Sequence, residues 1–281
     1  MTSLQELQRN WEGYAQADPF WSICTDPEKR NKKWDEREFF ETGTREIAKI
    51  LGYVRSCGLR PTGPALDFGC GVGRLTQALS EHFEECWGVD ISPTMIDLAK
   101  RFHVDNPRCR FLVNATDNLQ TFSDDYFGFA YTSIVLQHIK RRFVEHYVQD
   151  LIRVLKPGGI FIFQVPDRDA SGIVRRVRNK LRLRGRIRRF VLRQAVFNME
   201  MHCISEKHVR KLLHTSNAEL IDVKLTNSTD MAFIGNLQFL DREPEDGFIS
   251  KQYCAVKNRI PIQEARPAMS PTRRWGTRGA H

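Results

Sequence analysis

The stretch ALDFGCGVGRLTQAL, residues 65–79, carries glycines at positions 69, 71 and 73 between an apolar run and a helical pattern. Glycine lets the backbone turn tightly and approach a ligand closely, so the stretch predicts a strand, a ligand-binding turn and a helix. A dinucleotide fingerprint would read G-x-G-x-x-G, but the sixth position counted from Gly69 is Arg74. The turn is therefore expected to hold another kind of cofactor.

The charges around this turn indicate which cofactor it holds. Asp67 stands just before the glycines, where a carboxylate repels phosphate and attracts a cation. S-adenosylmethionine carries a sulfonium and an ammonium and no phosphate, so it suits the turn. Asp90, in CWGVDISPTM, follows about 20 residues later, where a carboxylate can accept both ribose hydroxyls. Pro93 then opens a helix and places Met95 near the adenine.

The order of the segments predicts an α/β fold. From Pro64, short apolar runs alternate with helical patterns of roughly 10 to 15 residues, which is typical of βαβ units in a doubly wound, Rossmann-like sheet. We expect five segments, which are a helical preface (1–60), a cofactor-binding core (61–167), a basic lid-like insertion (168–204), the last helix and closing strands (205–257) and a disordered tail (258–281).

Four stretches of the chain resemble a known family. LDFGCGVGRL, GVDISPTMIDLAK, YTSIVLQHI and LIRVLKPGGIFIFQVP are similar to the successive motifs of class I S-adenosylmethionine-dependent methyltransferases, in particular the broad type 11 group. The resemblance covers about residues 36–167 and implies an enzyme that uses this cofactor to methylate an acceptor. It also implies a seven-stranded, mostly parallel sheet whose last strand is antiparallel.

The resemblance assigns cofactor contacts to particular residues. Asp67, Gly69 and Gly71 would hold the methionine part, Asp90 the ribose, and Asn114 with Ala115 would flank the adenine. The full set of expected cofactor-binding residues is Asp67, Phe68, Gly69, Gly71, Asp90, Ile91, Met95, Asn114 and Ala115.

The chain departs from the family pattern at two positions. An acidic residue is common where Ala115 stands, so a contact to the adenine amino group would come from backbone, Asn114 or Asp117. The family also favours Asp where Gly128 stands. We expect that loss to weaken a strand end more than the chemistry.

The acceptor is expected beyond the carboxyl ends of strands four and five, where ligands sit in open α/β sheets. His138 is the first candidate for a general base, because an imidazole with an unperturbed pKa near 6.5 can remove a proton at neutral pH. His202 is the second, if its segment folds back over the site. Packing roles remain open for both histidines, because methyl transfer does not require a general base. Positioning of the acceptor alone can supply roughly 7 to 11 kcal/mol of the activation barrier.

Other side chains near these strand ends have two interpretations. Gln164, Asp167 and Asp169 can orient an acceptor hydroxyl or lie solvated in loops. In the preface, Tyr14 or Trp34 can shield the cofactor from water or pack in a core. The sequence does not choose between these roles.

The absence of several motifs excludes some classes of acceptor. The [DNS]-P-P-[YFW] run of adenine amino methyltransferases, a paired-glutamate loop for a guanidinium and a cysteine for base methylation are all missing after strands four and five. A small-molecule or glycan acceptor remains, with oxygen as the expected target atom.

Residues 173–194, IVRRVRNKLRLRGRIRRFVLRQ, hold ten Arg or Lys residues and no acid, and the net charge of the whole chain is +9. The tract can serve as a nucleic-acid arm, as a peripheral membrane contact or as a lid over an anionic or carrier-linked acceptor. The first two uses correspond to alternative functions, an RNA methyltransferase or a non-enzymatic membrane- or partner-binding module.

Cysteine usage and hydropathy indicate a location. The seven cysteines include no C-x-x-C pair and no zinc spacing, so we expect reduced thiols and no metal site. No signal peptide and no apolar run of transmembrane length is visible, so a cytoplasmic location is expected.

Overall fold

In a computed structural model of the chain, the residues described are 4–172, 200–230, 233 and 235–259. The basic tract 173–194, most of the expected lid and residues 260–281 of the expected tail lie outside them.

Across the described residues the strands form one eight-stranded sheet in the order β3-β2-β1-β4-β5-β8-β6-β7. Their bounds are β1 (Ala65–Phe68), β2 (Cys86–Asp90), β3 (Cys109–Val113), β4 (Phe127–Thr132), β5 (Leu155–Asp169), β6 (Ala218–Thr226), β7 (Phe239–Leu240) and β8 (Phe248–Lys257). Strands β1 to β5 are parallel, and β8 runs antiparallel between β5 and β6. The predicted Rossmann-like sheet with an antiparallel last strand is confirmed. The two-residue β7 adds one strand at the edge of the predicted seven.

The helices of the described residues are α1 (Leu4–Ala17), α2 (Pro19–Ile23), α3 (Glu36–Ser56), α4 (Arg74–Ser80), α5 (Pro93–Phe102), α6 (Arg141–Val154) and α7 (Glu206–Thr215). Short 3₁₀ turns cover Pro27–Lys29 and Leu136–His138. The Ser205 side chain caps α7 by accepting from the His208 N–H. None of these helices is both long and apolar enough to cross a membrane.

Apolar side chains fill both faces of the sheet. On one face Phe161 and Leu66 pack in the same cluster as Leu151 of α6. On the other face the cluster contains Ile162 of β5 and Ile47 of α3. Burying each such side chain contributes about 1.5 to 3 kcal/mol, so helices on both faces are held by the pattern that the sequence predicts.

A buried ion pair ties α3 to the glycine loop. The Arg74 Nη2 lies 2.8 Å from the Glu46 Oε2, and both side chains are almost wholly buried. Tyr131 donates its hydroxyl proton to the other Glu46 oxygen at 2.8 Å. Gly43 allows this approach, since a Cβ there would lie 2.4 Å from the Arg74 carbonyl oxygen.

Gly128 allows a close backbone contact where the family favours Asp. A Cβ at this position would lie 1.4 Å from the Thr62 carbonyl oxygen, and the Gly128 N–H donates to the Pro64 carbonyl at 2.9 Å. The glycine seats β4 against the loop before β1. This end of β4 is therefore held by a close backbone contact.

Candidate functional site

A cavity of about 260 Å³ lies at the carboxyl ends of β1, β2 and β4. The glycine loop after β1 and the segment after β4 both line it. The cavity is covered by residues of α1, of α2 and of the turn after α2, and by part of the connection after β6. It thus occupies the place where ligands bind in open α/β sheets.

The three loop glycines have left-handed backbone conformations, with φ of +80°, +54° and +86° at Gly69, Gly71 and Gly73. A Cβ at Gly69 would lie 2.3 Å from the Val135 Cγ2, and one at Gly71 would lie 2.5 Å from the Ile23 Cδ1. Both the conformation and the close neighbours therefore require glycine.

Asp90 lies at the cavity wall with a fixed carboxylate. Its Oδ2 accepts from the Gly71 N–H at 2.9 Å, and its Oδ1 accepts from the Ser92 N–H at 2.9 Å. Burial raises its pKa, while these two backbone donors oppose the rise. The carboxylate oxygens keep further lone pairs for a donor in the cavity.

Asp67 does not line the cavity. It lies beneath the glycine loop, 1% exposed, where its Oδ2 accepts from the Thr76 hydroxyl at 2.7 Å. Its Oδ1 has no hydrogen-bond partner in the described part of the chain. Burial raises its pKa to about 7, against the hydrogen bond from Thr76. Asp67 is not among the residues that line the cavity, so its expected contact to the methionine part of a cofactor stays a prediction.

The other expected cofactor residues fall into two groups. Phe68, Ile91, Met95 and Asn114 line the cavity with Gly69, Gly71 and Asp90. Ala115 does not line it and is exposed. The Thr116 hydroxyl donates to the Asn114 Oδ1 at 3.0 Å in a local turn after β3.

His138 lines the cavity and is 6% exposed. Its Nδ1 lies 2.8 Å from the Glu200 carbonyl oxygen, and its Nε2 lies 3.2 Å from the Gln137 Nε2. Burial lowers its pKa to about 4. The imidazole is therefore neutral at physiological pH and keeps a lone pair.

The structure separates the remaining candidates from the cavity. His202 lies outside its lining, with the Nε2 3.2 Å from the Glu200 carboxylate. Asp167 accepts from the N–H of Glu206, the first residue of α7, and pairs with Lys251. Asp169 accepts from the Ser171 N–H at 2.9 Å. These bonds serve local structure, and neither acid is among the residues that line the cavity.

The sequence interpretation missed the cover of the cavity. Leu7 and Trp11, one helical turn apart on α1, line it in place of Tyr14 and Trp34. The Trp11 ring meets the His138 ring edge-on at 5.4 Å between centroids. A second part of the cover is formed by Ser228, Thr229, Asp230 and Phe233 after β6. The i, i+4 spacing of Leu7 and Trp11 was a visible signal.

Comparisons with known proteins match the core. Residues 66–163 match the family model of a methyltransferase domain. A 2-heptyl-1-hydroxyquinolin-4(1H)-one methyltransferase of Mycobacteroides abscessus is 31% identical over 113 residues, which are 38% of this chain and 48% of that protein. A ubiquinone biosynthesis O-methyltransferase of Coxiella burnetii is 29% identical over 105 residues, 37% of this chain and 44% of that protein.

A solved structure shows the same fold over most of the chain. It is the magnesium protoporphyrin IX methyltransferase of Synechocystis PCC 6803, with bound SAH, which has a TM-score of 0.59 at 13% identity and covers 91% of this chain and 100% of that one. By sequence, the chain spans about half the length of the curated relatives that it matches first.

Proposed function

Because the chain belongs, through residues 66–163, to the class I S-adenosylmethionine-dependent methyltransferases of the type 11 kind, we propose that it methylates an oxygen atom of a small-molecule or carbohydrate-like acceptor. The observation that carries the cofactor part of the proposal is Asp90, whose carboxylate is fixed at the cavity wall by the N–H groups of Gly71 and Ser92. A carboxylate held in this way accepts two neighbouring hydroxyls without a cost of reorganisation.

The residues around Asp90 fit S-adenosylmethionine. Gly69 and Gly71 would hold its methionine part, and Met95 and Asn114 would border its adenine. The buried carboxylate of Asp67 beneath the loop would favour a cation above it. When bound, the cofactor supplies an electrophilic methyl group on a sulfonium. Phe68 and Ile91 supply apolar walls that exclude water.

The protein's own part in transfer would be placement. The segment after β4 lines the cavity with Ile134, Gln137 and His138, where an acceptor would lie in line with the methyl group. The neutral imidazole of His138 can accept a hydrogen bond from an acceptor hydroxyl and take its proton as the oxygen becomes positive. A base with a low pKa suffices for this late transfer.

The charge of the lining bears on the acceptor class. Among the described lining residues the cation Arg74 is already paired with Glu46, so this lining offers no free cation to an anionic reacting group. The ten cations of residues 173–194 would then meet an anionic part of a longer acceptor. Oxygen as the target atom is supported by the related enzyme whose name is ubiquinone biosynthesis O-methyltransferase.

Calorimetry with S-adenosylhomocysteine tests the cofactor. Wild type should bind it, and Asp90→Ala should bind it about 10- to 100-fold more weakly, the effect of losing hydrogen bonds to a charged group. Asp105→Ala, at an exposed position, is the matched control. Unchanged affinity in Asp90→Ala, or tight NADH binding by wild type, would contradict the proposal.

A labelled-methyl transfer screen tests the acceptor. It should include phenolic metabolites, nucleotide sugars, glycolipids and transfer RNA. Label on a small hydroxyl compound supports the proposal. Label confined to RNA would instead favour the alternative in which 173–194 is a nucleic-acid arm.

A further inference from the structure

A continuous line of hydrogen bonds runs behind the cavity wall. The Ile134 N–H donates to the Gln164 Oε1 at 3.2 Å, and the Gln164 Nε2 donates to the Gln137 Oε1 at 3.1 Å. The Gln137 Nε2 lies 3.2 Å from the His138 Nε2, and the His138 Nδ1 lies 2.8 Å from the Glu200 carbonyl oxygen. We call this line the amide relay.

The relay has one possible direction, because backbone groups anchor both ends. A backbone N–H can only donate, so Ile134 must face the oxygen of the Gln164 amide. That orientation turns the Gln164 nitrogen to the Gln137 oxygen, and hence the Gln137 nitrogen to His138. At the far end the Glu200 carbonyl can only accept, which places a proton on the His138 Nδ1.

The hydrogen bonds at the two ends of the relay therefore predict the same tautomer for His138. Its Nδ1 carries the proton, and its Nε2 carries a lone pair that accepts from the Gln137 amide. A second proton on the Nε2 would face that N–H donor, so the relay disfavours the imidazolium in addition to burial. Nearby, His202 also disfavours a positive charge on His138. Glu200 faces the His138 ring with its backbone carbonyl oxygen.

Burial and backbone strain indicate that the side chains of the relay are held in fixed positions. Gln164 is wholly buried, and Gln137 and His138 are 3% and 6% exposed. Ile134 has a φ of +59°, which is strained for a β-branched residue, and its N–H is held by Gln164. A second bond from the Gln164 Nε2 to the Ser250 hydroxyl at 2.6 Å fixes the amide further.

We propose that Gln164 and Gln137 are positioning residues that fix His138 as the neutral Nδ1–H tautomer, with the Nε2 lone pair available to an acceptor hydroxyl. Gln137 and His138 both line the cavity, so an entering hydroxyl can replace the Gln137 amide as donor to the Nε2. The use of this lone pair in catalysis rests on the proposed function, whereas the tautomer itself does not.

A one-atom change tests the direction of the relay. In Gln164→Glu one carboxylate oxygen accepts from the Ile134 N–H. The other oxygen can also only accept, so the amide nitrogen of Gln137 must face it. The Gln137 amide then turns, and its oxygen faces the His138 Nε2. A proton should now appear on the Nε2 while the Nδ1–H stays on the Glu200 carbonyl, so His138 becomes an imidazolium near neutral pH.

Nitrogen-15 NMR of the full-length chain reads this out without any activity. Two-bond proton–nitrogen correlations at pH 6.5 should show a neutral Nδ1–H ring for His138 in wild type and a doubly protonated ring in Gln164→Glu. His138→Gln identifies the signals. Gln137→Glu, which places a carboxylate directly against the Nε2, should give the same doubly protonated ring and serves if Gln164→Glu does not fold.

A matched control lies on the neighbouring strand. Gln252 pairs in register with Gln164, is equally buried, and its side-chain amide has no partner in the described residues. Gln252→Met should leave the His138 signals unchanged. An unprotonated Nε2 in both carboxylate variants, or an Nε2–H tautomer in wild type, would overturn the proposal.

Kinetics separates this proposal from the proposed function. With an active acceptor, Gln164→Glu should lower kcat about 10- to 100-fold, within the contribution of a general base, and leave the KM for S-adenosylmethionine unchanged. An equal kcat in Gln164→Glu and wild type would overturn the catalytic part of the proposal. Failure of wild type to bind the cofactor would overturn the proposed function and leave the NMR result standing.

Discussion

The Glu12 carboxylate of α1 accepts a hydrogen bond from the Thr94 backbone N–H at 3.2 Å. It also accepts from the Thr94 hydroxyl and, at 2.6 Å, from the Ser92 hydroxyl. A carboxylate at the N-terminus of α5 satisfies free N–H groups and complements the helix dipole. Glu12 thus fastens the cover of the cavity to the residues that follow Asp90.

Glu12→Gln should loosen this fastening. Burial raises the pKa of Glu12, but the bonds from Ser92 and Thr94 outweigh it and leave the pKa below 4.5. Its stabilisation is therefore present above pH 4.5 and lost as the pH falls through the lowered value. Urea denaturation at pH 7 should show a loss of about 1 kcal/mol, the worth of a capping side chain. The loss should shrink towards pH 3.

The same variant should release S-adenosylhomocysteine faster in stopped-flow fluorescence, because α1 supplies Trp11 to the cavity. Glu219→Gln, at an exposed strand position, is the control and should match wild type in both measurements. A dissociation rate of Glu12→Gln equal to that of wild type would show that α1 does not cover the cofactor.

The glycine loop and Asp90 could be predicted because their spacing is local and the fold follows from alternating patterns. Glu12 could not, since it meets Thr94 across 82 positions and no short pattern links the two. Asp67 shows a different limit. A strand-end carboxylate looks the same in sequence whether it faces a cavity or lies beneath a loop.

His138 was found by its place after β4, but its partners were not. Gln164 reaches Gln137 only because β4 and β5 are neighbours in the sheet, and Glu200 arrives from a distant segment. The tautomer and the lowered pKa of His138 come from those partners. Such properties follow from tertiary contacts and not from residue types.

Gly69→Ala should abolish cofactor binding. The backbone φ of +80° costs roughly 1 to 2 kcal/mol for a residue with a Cβ, and the new methyl group would collide with Val135. Gly58→Ala is a matched control, since Gly58 has a φ of +74° and nothing within 4 Å of a Cβ. Calorimetry with S-adenosylhomocysteine should show binding by Gly58→Ala and none by Gly69→Ala. Equal affinities would mean that Val135 can move aside.

Asp67→Asn should change how stability depends on pH. Burial raises the Asp67 pKa from 3.8 to about 7, although the Thr76 hydroxyl opposes this. Between these values the folded chain holds a proton that the unfolded chain has lost, so wild type loses stability as the pH rises. The slope from this group is at most about 1.4 kcal/mol per pH unit. An amide at this position has no proton to lose.

Urea denaturation at pH 5, 6 and 7 measures the difference between the two proteins. Asp67→Asn should gain stability relative to wild type at each step, whereas Asp105→Asn should follow wild type. Parallel curves for Asp67→Asn and wild type would mean that Asp67 is ionised in the folded chain at pH 5.

Glu46→Gln should be strongly destabilising, because it leaves the buried Arg74 guanidinium without its counter-charge. Burial lowers the Arg74 pKa, but the Glu46 carboxylate outweighs it and raises the pKa overall. Breaking a buried pair costs about 3 to 5 kcal/mol, whereas breaking an exposed pair costs about 0 to 1 kcal/mol. Glu41→Gln, which breaks the exposed pair with Arg37, is the control.

The double variant Glu46→Gln with Arg74→Met distinguishes the cost of an unpaired buried charge from the cost of altered packing. Removal of both charges should recover part of the loss, since the Tyr131 hydroxyl can still donate to the amide oxygen at position 46. Urea denaturation gives the free energies of unfolding of wild type, of Glu46→Gln and of the double variant. A loss below 1 kcal/mol in Glu46→Gln alone would mean that water reaches Arg74 in the folded protein, and α3 would then be held to the glycine loop by packing at Gly43 and not by charge.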